Sequence, residues 1–329
     1  MANSLKYKNA TVKVYHGYGH THNLVVYGHV FANKTVTRHN YTNNVLSNII
    51  HLFKLFLIKP LAGVNVQLQW KDQLLYGTTE KDGFFKFEWQ SDIEISAGWH
   101  PVILNYLASD GSIGATGEGK VFVPHSTQYA FISDIDDTVL ISHSATIGKR
   151  LRVLFSKNPR TRKAFADVVK HYELLAMAYT TPDIPNPFFY VSSSEWNLYD
   201  DLNDFFNYNG FPEGIFLLNQ IKRWFQLLKT GKTKHEGKLI RVVRILDAFP
   251  KQQFVLLGDN SQSDPAIYAS LTNKYPEKIF AVYIRNVHRE NETVTKQLLS
   301  GMEKNGVYAC LFNNNIEAIQ HSKAIGLIR

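Results

Sequence analysis

Phe131-Ile132-Ser133-Asp134-Ile135-Asp136-Asp137-Thr138-Val139 runs from an apolar stretch straight into three carboxylates and a hydroxyl. Apolar residues that arrive without alternation predict a strand buried on both faces, as in a parallel sheet. Polar residues at the carboxyl end of such a strand lie where open α/β sheets hold their ligands. A curl into a loop at Asp134 would turn Asp134 and Asp136 toward one centre. Acids this close repel each other, so an ionised cluster needs a cation, and oxygen ligands at such a spot suit Mg²⁺. The plainer reading of these residues is an Asp-rich turn that caps a helix.

Around this strand the chain changes its pattern. From Thr11 to Val123 the pattern is β, with candidate strands at Thr11–Tyr15, Leu24–Phe31, Val64–Trp70, Phe84–Trp89, Val102–Ala108 and Gly119–Val123. Many of them alternate with period two, and turn signals such as Lys81-Asp82-Gly83 and Ser109-Asp110-Gly111 separate them. This predicts an antiparallel β-sandwich of the immunoglobulin or transthyretin kind over residues 1–125. No cluster of acids or histidines with catalytic spacing falls in it.

One insertion interrupts the β half. Residues 45–58 form a nearly continuous apolar run in which Ser47, His51 and Lys54 share one helical stripe. As a helix it would be about 20 Å long, too short to cross a bilayer. Two readings stand: a helix packed between the two domains, or an interfacial helix resting on lipid.

Pro124 and His125 mark the expected boundary, and residues 126–329 read as strands alternating with helices. Strands are expected at Phe131–Asp134, Phe188–Ser192, Gly214–Asn219, Phe254–Gly258, Phe280–Arg285 and Val307–Phe312. Helices are expected near Arg162–Tyr179, Leu198–Asn207, Lys238–Phe249, Pro265–Asn273 and Ile316–Ala324. This is an α/β fold with a doubly wound parallel sheet. At 329 residues, with 44% hydrophobic residues, the chain has enough material for two cores. The lone Cys310 rules out an internal disulfide or a thiolate zinc site, and it reads as a small core residue. The first residues have no apolar segment of a signal peptide, and no apolar run is long enough to span a membrane. A cytoplasmic protein is expected, with peripheral membrane contact allowed. The net charge of +8 favours acidic partners.

The spacing Asp134-x-Asp136-x-Thr138 resembles the signature of the haloacid dehalogenase (HAD) superfamily of phosphotransferases. That resemblance implies that Asp134 attacks phosphorus and that Asp136 is the acid/base. A phosphomonoesterase of this design also needs a hydroxyl to hold the phosphoryl group, a cation and more acid for the metal. Ser192, directly after the apolar run Phe189-Tyr190-Val191, is the best-placed hydroxyl. Lys238, opening the helix that leads to Phe249-Pro250, is preferred to Lys232 and Lys234. Gly258-Asp259 and Asp264 supply the acids. The resemblance implies Mg²⁺ on Asp134, the backbone carbonyl of Asp136 and Asp259, with Asp264 direct or through water. Thr138 would steady Asp134, and Asp137 would only bond to backbone N–H groups.

The whole order resembles a narrower group, the actin-patch-associated phosphatidate phosphatases of fungi and their bacterial relatives. The matching stretches run from Ile132 to Val139, Phe189 to Tyr199, Asn209 to Pro212 and Gly258 to Tyr268, with Arg285 in a further shared segment. Relatives carry His-Lys where this chain has Gly237-Lys238, with His235 two residues earlier. The resemblance implies hydrolysis of phosphatidate to diacylglycerol and phosphate. Lys149, Arg150, Arg152, Lys157, Arg160, Arg162 and Lys163 lie in an interval without acids, which the superfamily uses as a flap or cap. A basic, partly apolar cap would suit an anionic headgroup and leaflet, though a solvated positive face is equally consistent. Two further readings are a phosphatase for soluble monophosphates and a catalytically vestigial lipid- or protein-binding module. No nucleic-acid-binding motif accompanies the charge, so no nucleic-acid partner is expected.

Overall fold

The computed structural model describes residues 7, 9–34, 44–125, 129–139, 160, 164–221, 234–261 and 263–329. The described residues form two compact units, one drawn from residues 1–39 and 53–125, the other from 40–52, 126–220 and 229–329.

In the first unit, alternation makes strands with one buried face. Strands β1 (Thr11–Val14), β2 (Gly17–His20), β3 (Asn23–Phe31), β4 (Asn65–Trp70), β5 (Gln73–Thr78), β6 (Phe84–Trp89), β7 (Gly98–Leu107) and β8 (Ile113–Val123) join into one eight-stranded sheet. Its order is β1-β3-β2-β8-β7-β4-β5, with β6 on β3. Every pairing is antiparallel except β2 with β8. Val66, Leu68 and Trp70 of β4 and Phe85, Phe87 and Trp89 of β6 enter a single core cluster, as period-two alternation requires. Two glycines let β8 press against β1: a Cβ at Gly117 would lie 2.4 Å from the Val12 carbonyl oxygen, and one at Gly119 2.4 Å from Val14 Cγ1. The strands expected here form and share a core, and they connect as one mixed, mainly antiparallel sheet. β2 and β5 were not expected. The first reads Gly-Tyr-Gly-His, with Tyr18 its one large apolar side chain, and the second keeps Leu74 and Tyr76 exposed, so neither shows a run of alternating apolar residues.

Helix α1 (Val45–Phe56) forms where the apolar insertion was read. Asn48, Leu55 and Phe56 are buried, while Leu46, Ile50 and Phe53, and Leu57 just beyond the helix, are exposed. Its residues up to 52 belong to the second unit, where His51 Nε2 lies 3.3 Å from Asp201 Oδ1.

In the second unit, apolar runs without alternation become strands buried almost throughout. β9 (Tyr129–Asp134), β10 (Phe188–Glu195), β11 (Gly214–Asn219), β12 (Gln253–Asp259), β13 (Ile279–Arg285) and β14 (Tyr308–Phe312) form a six-stranded sheet in the order β11-β10-β9-β12-β13-β14. All neighbours are parallel. Between them lie α2 (Val168–Ala176), α3 (Tyr199–Asn209), α4 (Lys234–Ala248), α5 (Asp264–Lys274) and α6 (Glu292–Lys304), and α7 (Asn315–Ala324) follows β14. The strand order runs outward from β9 in one direction and then in the other. Such a reversal opens a crevice at the carboxyl ends of the central strands. α6 was not expected, because Thr293, Val294, Thr295 and Gly301 give it poor intrinsic helix preference. Its buried Thr295, Leu299 and Met302 supply the stabilising face.

Candidate active site

Register decides which side chains meet at that crevice. Asp134 closes β9 and pairs with Val191 of β10, one residue before Ser192. On the other side, Leu257 of β12 pairs with Ser133, which sets Asp259 just past the end of β9. α4 then brings in Lys238, and α5 begins at Asp264. Parallel pairing therefore gathers at one rim groups that are more than a hundred residues apart in the chain.

Lys238 Nζ donates to Asp134 Oδ1 at 2.7 Å and also to Asp264 Oδ1. The Thr138 hydroxyl lies 3.1 Å from Asp259 Oδ2 and 3.4 Å from Asp134 Oδ2, so its single proton serves either carboxylate. Asp259 Oδ1 accepts the backbone N–H of Ser261 at 2.6 Å. The loop turns at Asp137, whose φ of 60° is a left-handed conformation unusual outside glycine. Asp137 is itself buried.

Asp136 is held apart from this cluster. Its Oδ2 accepts hydrogen bonds from Ser192 Oγ at 2.9 Å and Ser194 Oγ at 3.3 Å, and Ser192 Oγ accepts the Ser194 N–H at 2.9 Å. Ser192 thus points at the neighbouring acid in this structure. Two arginines border the rim, neither given a role on sequence grounds. Arg241 Nη2 donates to the Ser192 carbonyl at 3.2 Å. Arg285 Nε donates to the Thr138 carbonyl at 3.1 Å, Nη2 donates to Asn315 Oδ1, and the guanidinium lies between the Phe165 and Phe312 rings. Arg241 sits three residues after Lys238, so helical spacing could have flagged it. Ser194 and Arg285 could be placed only by the register of β10 and β13.

The electrostatics are those of acids crowded away from water. Burial drives the Asp134 carboxyl well above the carboxylate range; the Lys238 ammonium pulls it back, and Asp264, Asp259 and Asp136 add repulsion. Burial, reinforced by Asp264, pushes Asp259 up to about 7. Burial alone would depress Lys238, but Asp134 and Asp264 outweigh it and hold the ammonium above the usual lysine value. Carboxylates raised this way regain their charge when a cation enters.

The residues present fit a hard metal ion. Carboxylate oxygens of Asp134, Asp259 and Asp264 lie within 4.8 Å of one another, and all three residues are buried. Gly258 makes the closeness achievable: a Cβ there would fall 2.6 Å from Asp264 Oδ2 and 2.9 Å from Tyr268 Cε2. An all-oxygen donor set of this kind suits Mg²⁺ or Ca²⁺ over thiolate-loving metals.

Of the residues singled out from sequence, Asp134, Thr138, Lys238, Asp259 and Asp264 share one hydrogen-bonded group. Asp136 and Ser192 form the adjoining pair. His235 falls in α4 with no described side chain, and the basic interval 149–163 lies outside the described residues apart from Arg160. Arg160 Nη2 is 3.6 Å from Asp204 Oδ1, with its guanidinium over the Tyr208 ring.

Residues 129–286 match the family of the phosphatidate phosphatase APP1 catalytic domain. The matched stretch begins with β9 and ends just past β13, so it takes in the whole rim. Phosphatidate phosphatase APP1 of Saccharomyces cerevisiae is 32% identical over 158 residues, 47% of this chain and 25% of that protein. An uncharacterized protein of Schizosaccharomyces pombe is 26% identical over 187 residues, 53% of this chain and 29% of that protein. The chain thus spans less than a third of the length of either relative. Among solved structures, a carbohydrate acetylesterase from Xanthomonas citri covers 94% of this chain and 70% of its own, with 7% identity and a TM-score of 0.36. That likeness is too faint to bear on the fold or function of this chain.

Proposed function

We propose that the protein is a Mg²⁺-dependent phosphomonoesterase of the HAD type that hydrolyses phosphatidate to diacylglycerol and phosphate through an aspartyl-phosphate. One observation carries the reading: a buried carboxylate at the end of the central strand, ion-paired to Lys238, inside an oxygen cluster suited to a metal. The substrate is taken from the name of the yeast relative. We further read the second unit as a HAD-like doubly wound domain beginning near residue 126, and the first as a β-sandwich accessory domain.

Mg²⁺ held by Asp134, Asp259, Asp264 and the Asp136 carbonyl would supply charge neutralisation for the transferring phosphoryl group. Asp134 attacks phosphorus in line, forming the Asp134 O–P bond as the bond to the leaving oxygen breaks. Asp136, oriented by Ser192 and Ser194, gives a proton to the leaving alkoxide. It then takes one from the water that cleaves the acyl phosphate and frees Asp134. Thr138 fixes Asp134, and Lys238 offsets the charge that collects on the equatorial oxygens. Ser192 exchanges its bond to Asp136 for a phosphoryl oxygen.

A water-insoluble substrate calls for contact with a lipid surface. The exposed apolar residues Leu46, Ile50 and Phe53 recur at helical spacing along α1, with the exposed Leu57 next in line, and form the face we assign to it. The protein would then be cytoplasmic and peripherally membrane-associated; no helix among the described residues is long and apolar enough to cross a membrane.

The test is phosphate release from phosphatidate micelles and from a panel of soluble monophosphates, with Mg²⁺ or with EDTA. Release from phosphatidate in Mg²⁺ and none in EDTA is expected. Turnover of soluble esters alone would reassign the substrate, and release untouched by EDTA would remove the metal. No release from any monoester would leave the site vestigial.

A further inference from the structure

Lys238 and Arg241 leave α4 on the same face, three residues apart, yet the structure uses them differently. The Lys238 ammonium is committed to Asp134 and Asp264. Arg241 donates only to a backbone carbonyl, that of Ser192, and its Nε is buried without a hydrogen-bond partner. No carboxylate among the described residues pairs with it. Burial, with Arg244 adding repulsion, lowers its pKa to about 10, while Asp134 draws it back up. A guanidinium partly removed from water without an anion is costly, because its charge goes uncompensated.

One edge of this guanidinium faces a glycine. Residue 237 is glycine, and within 4 Å of where its Cβ would stand the nearest group among the described residues is Arg241 Nη1, at 3.6 Å. Arg285, the fully buried arginine at the rim, is already engaged by Thr138, Asn315 and two aromatic rings.

Charge balance points the same way. The buried charges of the rim, Asp134, Asp136, Asp137, Asp259 and Asp264 against Lys238 and Arg285, leave three formal negative charges, and one divalent cation would still leave one. A phosphomonoester dianion then enters against net repulsion unless a further cation meets it. We propose that Arg241 is that cation: its guanidinium binds the phosphoryl oxygens of the substrate beside Ser192, and so fixes affinity for monoester dianions. Arginine suits this task because its planar fork pairs two phosphate oxygens at once. The inference rests on the phosphomonoesterase reading above and assigns the phosphate-binding group within it.

Arg241→Gln and Arg241→Lys test it in the full chain, with Mg²⁺ present. The measurements are KM for phosphatidate micelles and for glycerol 3-phosphate, the inhibition constant of inorganic phosphate, and direct phosphate binding by calorimetry. Arg241→Gln is expected to raise KM for whichever ester is turned over, and the phosphate constants, by about ten- to a hundredfold, the range for a charge-assisted hydrogen bond. Arg241→Lys recovers part of the loss, and the Mg²⁺ concentration for half-activation does not move. Unchanged phosphate constants with a lowered kcat would overturn the proposal, leaving Arg241 as a tie between α4 and β10. A shift confined to phosphatidate, absent with inorganic phosphate, would also overturn it and place Arg241 at the lipid surface instead. Should Arg241→Gln fail to fold, Arg241→Lys carries the same comparison with a smaller expected shift. If the wild type turns over no monoester, the parent reading fails, and calorimetry of phosphate on wild type and variants still judges Arg241 on its own.

Discussion

The two units bury polar groups in opposite ways. In the front sheet they are scattered and most are settled locally: the Thr79 hydroxyl donates to the Leu61 carbonyl, Trp70 Nε1 to Ser91 Oγ, and Asn105 Nδ2 to Gln67 Oε1. In the rear sheet, Asp134, Asp136, Asp259 and Asp264 crowd one rim with Lys238 and Arg285, all buried. The difference follows from strand direction. Antiparallel strands alternate their ends, so no edge collects every carboxyl terminus. Parallel strands bring all of them to one side, and the order reversal at β9 opens a crevice there. A mixed sheet with a single packed core bears little electrostatic strain; a parallel one concentrates it where chemistry is done.

The largest expected effect that sharpens this contrast is Asp134→Asn. Turnover of phosphatidate should fall by about 10⁴-fold or more, as removal of a nucleophile does in other covalent mechanisms. The thermal midpoint in EDTA should hold or rise, because the substitution removes a carboxyl that burial already disfavours. Activity and stability then move in opposite directions, the mark of a strained site. Residual turnover within tenfold of wild type would take the nucleophile's role from Asp134.

Trp70→Ala is the counterpart in the front sheet. Trp70 is fully buried, meets Trp89 edge-on and donates to Ser91. Its loss should cost about 3–5 kcal/mol, the range for truncating a large core aromatic. Urea unfolding followed by fluorescence reads that cost. The kcat of molecules still folded should be unchanged, since the residues of the assigned site all belong to the second unit. A kcat that falls with stability would mean that the two units share more than a chain.

Legibility in the sequence divides along the same line. The rear strands were readable because unbroken apolar runs such as Phe254–Leu257 tolerate no other placement, and Asp134, Asp259 and Asp264 followed from where those runs stop. Thr138, Ser192 and Lys238 followed in turn from their distance to strand ends. What spacing could not give was which groups share a hydrogen bond. That Ser192 faces Asp136, with Ser194 behind it, depends on the bend of β10 between Val191 and Glu195. Arg285 depends on the pairing of β13 with β14, which sets it opposite Phe312. In the front sheet, β2 escaped because Gly17 and Gly19 sit in close approach to β3, where glycine's lack of a Cβ matters more than β propensity. A Cβ at Gly17 would stand 2.2 Å from the Val25 carbonyl oxygen.

The smallest expected effect is also the one that most directly sets the two regions against each other, through the sign of a pH dependence. His29 is buried in the front sheet, with the Tyr15 hydroxyl 2.9 Å from Nδ1, Phe31 stacked on its ring and Nε2 unpartnered. Burial lowers its pKa to about 3. Unfolded, it would take a proton near 6.5, so its contribution is complete above that value and is lost as pH falls toward 3. Asp259 is the reverse case. Its folded value of about 7 exceeds the unfolded one near 3.8, so its contribution is complete below 3.8 and is lost as pH rises through 7. Urea unfolding in EDTA between pH 4 and 7, on wild type, His29→Gln and Asp259→Asn, separates the two. Relative to His29→Gln, the wild type should lose up to about 1.4 kcal/mol per pH unit on acidification, the slope of one proton. Relative to Asp259→Asn it should gain. His171, buried beside Ser322 and Asn315 in the rear unit and also lowered to about 3, slopes with His29 but cancels in each wild-type-to-variant difference. Slopes of the same sign in both comparisons would mean that the rim is not the crowded acid cluster described here. Saturating Mg²⁺ should abolish the Asp259 slope and leave that of His29 untouched, because a bound cation holds the carboxylate ionised across the whole range.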